Sequence, residues 1–155
     1  MRGIKIVLAG SIQKLFFKEA FKFYLHRVQA GMPVELCEIK GTGHKNPEVR
    51  RNREGELILG RINSRDHLLV LDEKGQGFTS EGLARELSKW AEDPGRIPCF
   101  VVGGAYGVSE MIRSRADRLI SLSCMTLPHE LAAVVLMEQI YRGVCINSGH
   151  PYHHA

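Results

Sequence analysis

Five short apolar runs, separated by longer amphipathic stretches, set the strongest limit on how this chain folds. The runs are Ile4–Leu8, Val34–Ile39, His67–Leu71, Pro98–Val102 and Arg118–Ser121. Helical spacing occupies the intervals. Lys14–Val28 carries Phe17, Ala20, Phe21, Tyr24 and Val28 on one face. Pro47 opens a helix running to Ile62, with a basic first turn followed by Leu57, Ile58 and Ile62. Ser80–Trp90 follows, then a short helix capped by Ser109, then a last one from Pro128 to about Gly143. Between them, Asp72–Phe78 reads as a turn, and Val144–Ala155 as a tail. Strands alternating with helices predict an α/β fold, a doubly wound and mostly parallel sheet with helices on both faces.

Length and composition narrow this further. The chain has 155 residues, 44% of them hydrophobic, with no repeat or linker, so residues 1–155 are expected to form a single domain. Separate catalytic and substrate-recruiting domains of typical size are not expected in that length. No apolar run approaches the ~18–20 residues of a membrane span, and Met1–Leu8 lacks the apolar core of a signal peptide, so a cytoplasmic protein without membrane contact is expected. Cys37, Cys99, Cys124 and Cys145 are widely spaced and form no CxxC pair, which predicts free thiols and no metal site. Only His150, His153 and His154 cluster.

The charge is uneven. Up to Arg65 there are 13 Lys and Arg against 6 Asp and Glu; beyond it there are 8 against 11. Lys14, Lys18 and Lys22 fall four apart on one helical face, and Lys45, Arg50, Arg51 and Arg53 follow the second strand. Such a half is a candidate phosphate-binding surface, although a plain solvated face has the same composition.

Three loops beyond strand ends are candidates for a ligand site, where open α/β sheets bind ligands. The first is Leu71–Gly77 (LDEKGQG); its GxG lacks a third glycine and equally fits an ordinary turn. The second is Gly103–Gly107 (GGAYG), whose glycines let a ligand approach the backbone; no GK[ST] follows, so it is not a P-loop. The third is Ser121–His129 (SLSCMTLPH), whose small hydroxyls mixed with Leu and Met suit a pocket for a flat base and a thioether, or simply cap the next helix. The tail offers Asn147, His150, Tyr152 and His153, which suit recognition of a base. Within the last helix, Leu131–Met137 is apolar all the way round, which predicts packing against a second copy of the chain.

Together LDEKGQ, FVVGGAYG, SLSCMTLPHEL, EQIYRG and INSGHPYH resemble the RlmH-type methyltransferases of the SPOUT class, over nearly the whole chain. The resemblance implies a C-terminal trefoil knot, a homodimer, S-adenosylmethionine as cofactor, and methylation of N3 of a pseudouridine in 23S ribosomal RNA (rRNA). It assigns the donor pocket to Leu71, Gly103, Gly104, Gly107, Leu122, Ser123, Cys124, Met125, Thr126 and Leu127. It implies catalytic roles for Arg142 and His153, with Tyr152 beside them and the tail contributed by the partner subunit. The RNA surface becomes Lys14, Lys18, Lys22, Lys45, Arg50, Arg51, Arg53 and His154. The family usually carries a basic residue after HPYH, whereas this chain has His154 and then Ala155. Two other classes share the scaffold: a nucleotide-dependent small-molecule enzyme, and an RNA-binding module without catalysis.

Overall fold

The computed structural model describes residues 2–154. Met1 and Ala155, the first residue of the chain and the last of the expected tail, lie outside the described residues.

Ten elements follow in order: β1 Ile4–Ala9, α1 Leu15–Gln29, β2 Val34–Ile39, α2 Pro47–Leu59, β3 Asp66–Gly77, α3 Ser80–Glu92, β4 Ile97–Val102, α4 Glu110–Arg115, β5 Arg118–Ser121 and α5 His129–Ser148. The five strands form one parallel sheet in the order β2-β1-β4-β3-β5. The expected doubly wound architecture is therefore present.

Alternation along the strands separates two cores. Ile4, Ile6 and Leu8 of β1, with Leu69 and Phe100, pack against α1, α3 and α5 through Phe21, Leu87, Leu136 and Ile140. Val7 and Ala9, with Leu68, Val70 and Val101, face the opposite side and meet Ile58 of α2 and Ile112 of α4. Lys5 also points to that side and is almost fully buried. Its amine lies 3.1 Å from Asp66 Oδ2 and also donates to the Arg61 carbonyl. Ion pairing and hydrogen bonding together satisfy the buried charge.

Caps explain several helix starts. Asn46 Oδ1 accepts from the N–H groups of Glu48 and Val49, with Pro47 as the first helical residue. Thr79 and Ser109 cap α3 and α4 in the same way. Lys14 precedes α1 with no side-chain cap.

The structure corrects the sequence reading in five places. The second helix ends at Leu59, capped by Gly60, and does not reach Ile62. Asp72–Gly77 is not a turn but the second half of a long β3, paired with β5 through a register shift between Leu71 and Gln76. The last helix does not stop at Gly143; it runs to Ser148 and ends at Gly149, whose φ of +71° closes it. Asn147 and Ser148 are thus helical rather than part of a tail. The first turn of α2 carries Glu48, with the arginines only beyond it, and Leu57 is exposed rather than core.

Part of the apolar circumference of α5 has a local explanation. It lies between α1 and α3 and packs on both. Leu131, Val134 and Val135 stay only half-buried in the single chain.

Candidate active site

Beyond the carboxyl ends of β4 and β5, and against the middle of β3, lies a cleft of about 840 Å³. Three segments line it: Leu71–Lys74 of β3, Gly104–Val108 after β4, and Leu122, Ser123 and Met125–His129 after β5. These are the three segments singled out from the sequence. Leu71, Gly104, Gly107, Leu122, Ser123, Met125, Thr126 and Leu127 all reach the cleft, whereas Gly103 and Cys124 are not among its lining residues. Cys124 is exposed.

The glycine loop is shaped by close approach. The Gly107 N–H donates to the Gly104 carbonyl at 3.0 Å, and Gly107 sits at φ +77°, a region that favours glycine. A Cβ on Gly103 would lie 2.9 Å from the Gly107 carbonyl carbon, so Gly103 permits the turn rather than touching the cleft. A Cβ on Gly104 would come within 2.8 Å of Glu54 Oε2. Glu54 is a buried carboxylate of α2, paired with Arg50 at 3.2 Å. The loop therefore rests on an α2 ion pair from behind.

The β3 wall is polar and braced. Arg113 donates from Nε to Asp72 Oδ2 at 2.7 Å, and the Thr126 hydroxyl donates to Glu73 Oε2 at 2.7 Å. Burial works to raise the Asp72 carboxyl. The Lys74 N–H and the Arg113 guanidinium outweigh it, holding Asp72 below the usual carboxylate value.

Arg142, Tyr152 and His153 form a second cluster. After Gly149 the chain folds back along α5, and the Tyr152 ring meets that of Tyr141 at 4.7 Å. Arg142 Nη1 lies 3.2 Å from His153 Nδ1, and Glu81 Oε1 lies 2.9 Å from His153 Nε2. Glu138 Oε1 accepts from Arg142 Nε at 3.1 Å, and the Arg142 guanidinium stacks over Tyr152. The Glu138 hydrogen bond raises the Arg142 pKa above its usual value. In the single chain this cluster lies apart from the cleft: at ~1.5 Å per residue, Arg142 is about 15 Å along α5 from Ala132, which lines the cleft.

The basic candidates divide between the faces of the sheet. Lys14, Lys18 and Lys22 are exposed at and along α1; Lys45 and Arg53 are exposed, and Arg50 and Arg51 half-buried, at and along α2. His154 is exposed at the end of the described chain. Among the described residues, no group of three His, Cys, Asp or Glu side chains is placed to hold a metal, and no helix is long and apolar enough to cross a membrane.

Sequence reasoning missed Glu138, Glu81, Glu54 and Arg113. Glu138 and Arg142 are four apart in a helix, a spacing that places them on one face and was open to inspection. The other three act across long sequence separations.

Comparison with known proteins agrees with this geometry. A protein of Solidesulfovibrio magneticus named "Ribosomal RNA large subunit methyltransferase H" is 42% identical over 154 residues, covering 99% of this chain and all of the relative. Proteins of the same name from Desulfovibrio desulfuricans and Desulfotalea psychrophila are 41% and 36% identical, covering 99% and 96% of this chain and 98% and 97% of theirs. The family described as "Predicted SPOUT methyltransferase" matches residues 1–153. This end-to-end match, on a chain with a five-stranded parallel sheet, places the chain in the SPOUT methyltransferase family.

Proposed function

We propose that this chain transfers a methyl group from S-adenosylmethionine to N3 of a pseudouridine in 23S rRNA, on the assembled ribosome. It does so as a homodimer of single-domain subunits spanning residues 1–155, in the cytoplasm. The trefoil knot implied by the family belongs to the same reading. The observation that carries it is the convergence of Leu71–Lys74 of β3 and the segments after β4 and β5 on one cleft. The relatives' name supplies the substrate class.

The residues present fit that donor. Leu71, Ile120, Leu122 and Leu127 offer apolar walls for a flat base. Glu73, Ser123 and Thr126 offer acceptors and hydroxyls for a ribose and an ammonium group. The cleft volume lies within the ~300–1,000 Å³ usual for small-molecule sites. When bound, the donor supplies an electrophilic methyl group, so no covalent nucleophile is required of the protein.

The remaining work falls to alignment and charge. The imino N3–H of pseudouridine is a weak acid and must lose its proton, or share it, to become nucleophilic. A fixed guanidinium near the departing proton stabilises the resulting anion. Arg142, held by Glu138 and backed by His153 and Tyr152, is suited to that task. Its distance from the cleft in one protomer makes it a residue for the partner's cleft. The half-buried Leu131, Val134 and Val135 of α5 provide an apolar face for such a dimer.

Calorimetric titration with S-adenosylmethionine and tritiated methyl transfer to ribosomes lacking the modification test this reading. Saturable donor binding and incorporation at one nucleotide, stronger on ribosomes than on free rRNA, are expected. No binding at millimolar donor would sink it and favour a noncatalytic RNA-binding module.

A further inference from the structure

A second cavity, of about 730 Å³, lies beyond the carboxyl ends of β1 and β2. It shares Ala105 and His129 with the donor cleft, so the two are neighbours across one thin wall. We propose that this cavity seats a phosphodiester of the RNA substrate next to the target nucleotide, with Lys40 as a positioning residue. The inference rests on the reading of the chain as an RNA methyltransferase.

Three elements deliver cations to this one place. Lys14 stands at the start of α1, Lys40 follows the end of β2, and Arg50 lies in α2. Arg50 is already committed to Glu54. Lys14 and Lys40 are exposed and form no ion pair among the described residues, so both charges are available to an anion. Two carboxylates also line the cavity. Glu38 is exposed, while Glu130 is buried and accepts the Gln13 N–H, which offsets part of its charge. The loop between β1 and α1 turns through Gly10 at φ +106°, and it leads into a helix whose first-turn N–H groups have no side-chain cap. The positive end of the α1 dipole adds to the lysines.

The charge does not stop at the cavity. Lys18 and Lys22 continue it along the exposed side of α1, and Arg53 continues it along α2. A track of this kind fits a polymeric anion, whereas a small anion would use only the cavity. This explains in one geometry why the basic half of the chain divides between two faces of the sheet. Lys14 at the start of α1 and Arg50 of α2 meet at the cavity.

Lys40→Gln and the Lys14→Gln/Lys40→Gln double variant test the proposal, with Lys89→Gln as the control. Lys89 carries the same charge on α3, where it pairs with Glu86. Fluorescence anisotropy of a labelled rRNA stem-loop, measured across a salt series, reads the site without turnover. The double variant should weaken binding about tenfold near physiological salt and lower the log–log salt slope by about 2, Lys40→Gln alone by about 1, and Lys89→Gln by nothing. Donor affinity measured by calorimetry should stay at the wild-type value, and KM for ribosomes in methyl transfer should rise with kcat little changed. An unchanged salt slope in the double variant, or an equal change in Lys89→Gln, overturns the proposal. Absence of methyl transfer by the wild-type protein overturns the enzymatic reading instead, while the anisotropy series still decides the cavity.

Discussion

The Tyr152 hydroxyl donates to Glu138 Oε1 at 3.1 Å, tying the chain end to the middle of α5. That same oxygen also receives Arg142. Burial, a hydrogen bond with Tyr24 and this bond to Glu138 raise the Tyr152 phenol well above its usual pKa. Tyr152 is therefore a hydrogen-bond donor at any physiological pH and not a base.

Glu138→Gln should release both residues. A displacement of ~1 Å in a positioning group costs about 100-fold in rate, so kcat for methyl transfer should fall by 10- to 100-fold on that scale. Donor affinity should hold, because Glu138 does not line the cleft. Near-ultraviolet circular dichroism gives a second readout, since release of Tyr152 from Tyr141 should change the tyrosine signal. Unchanged kcat with an unchanged spectrum would refute the assignment.

Asp72→Asn should weaken the cleft wall and change the acid response. The Asp72 carboxyl is depressed in the fold, so its stabilisation is present above the ordinary carboxylate value of ~4 and is lost as pH falls through the folded value. Its side chain is 4% exposed, and loss of a buried charge-assisted hydrogen bond costs about 1–3 kcal/mol. Urea unfolding at neutral pH should show that loss. Below about pH 4 the wild type and the variant should converge. Curves that stay parallel through the acid range would show that the Arg113 pair contributes no linkage.

Gly75→Ala should be among the most damaging small substitutions. Its Cβ would lie 2.5 Å from the Leu119 carbonyl carbon and 2.6 Å from the Ile120 nitrogen, both backbone atoms. Overpacking of this kind costs about 1–3 kcal/mol, and here the strands themselves must part. Thermal unfolding and donor titration should both register it. Gly77→Ala, with nothing within 4 Å of its Cβ, is the matched control.

The Gly75 contact also shows where sequence reading reaches its limit. Asp72–Gly77 carries charges and glycines, a composition that signals a turn. What makes it a strand is the nearness of β5, forty residues on, and no local pattern reports that. Gly143 misled in the same way. It reads as a helix stop, yet its missing Cβ lets α5 press on Ala84 and Leu87, and the true stop is Gly149. By contrast, β2 and β5 keep the predicted ends, since their apolar runs are bounded by clear breaks. The cleft-lining segments are legible as candidates because they follow strand ends in an open α/β sheet, although each also fits a turn or a helix cap and the donor assignment rests on the family resemblance. The bracing carboxylates are not legible, because Glu54 meets Gly104 and Glu81 meets His153 only through the fold.

Thiol chemistry should separate the cysteines. Burial pushes the Cys99 thiol up to about 12, and Cys37 is raised by burial and by Glu35. Cys124 is exposed. An aromatic disulfide reagent at neutral pH should modify Cys124 first and leave Cys99 untouched until denaturant is added. Modification should leave donor binding largely intact, since Cys124 does not line the cleft. Rapid labelling of Cys99 in the native state would contradict the packing of β4.

The second half of β3 does two jobs with adjacent residues. Gln76 and Gly77 pair with Ile120 and Ser121, holding the outermost strand on the sheet, while Leu71–Lys74 of the same strand wall the cleft. A ligand that clamps this wall therefore also suppresses fraying of the sheet's edge. Amide protons of β5 should exchange more slowly with donor present, because Ile120 of β5 both lines the cleft and pairs with β3. Occupancy of the cleft becomes a tension felt along the whole margin of the molecule.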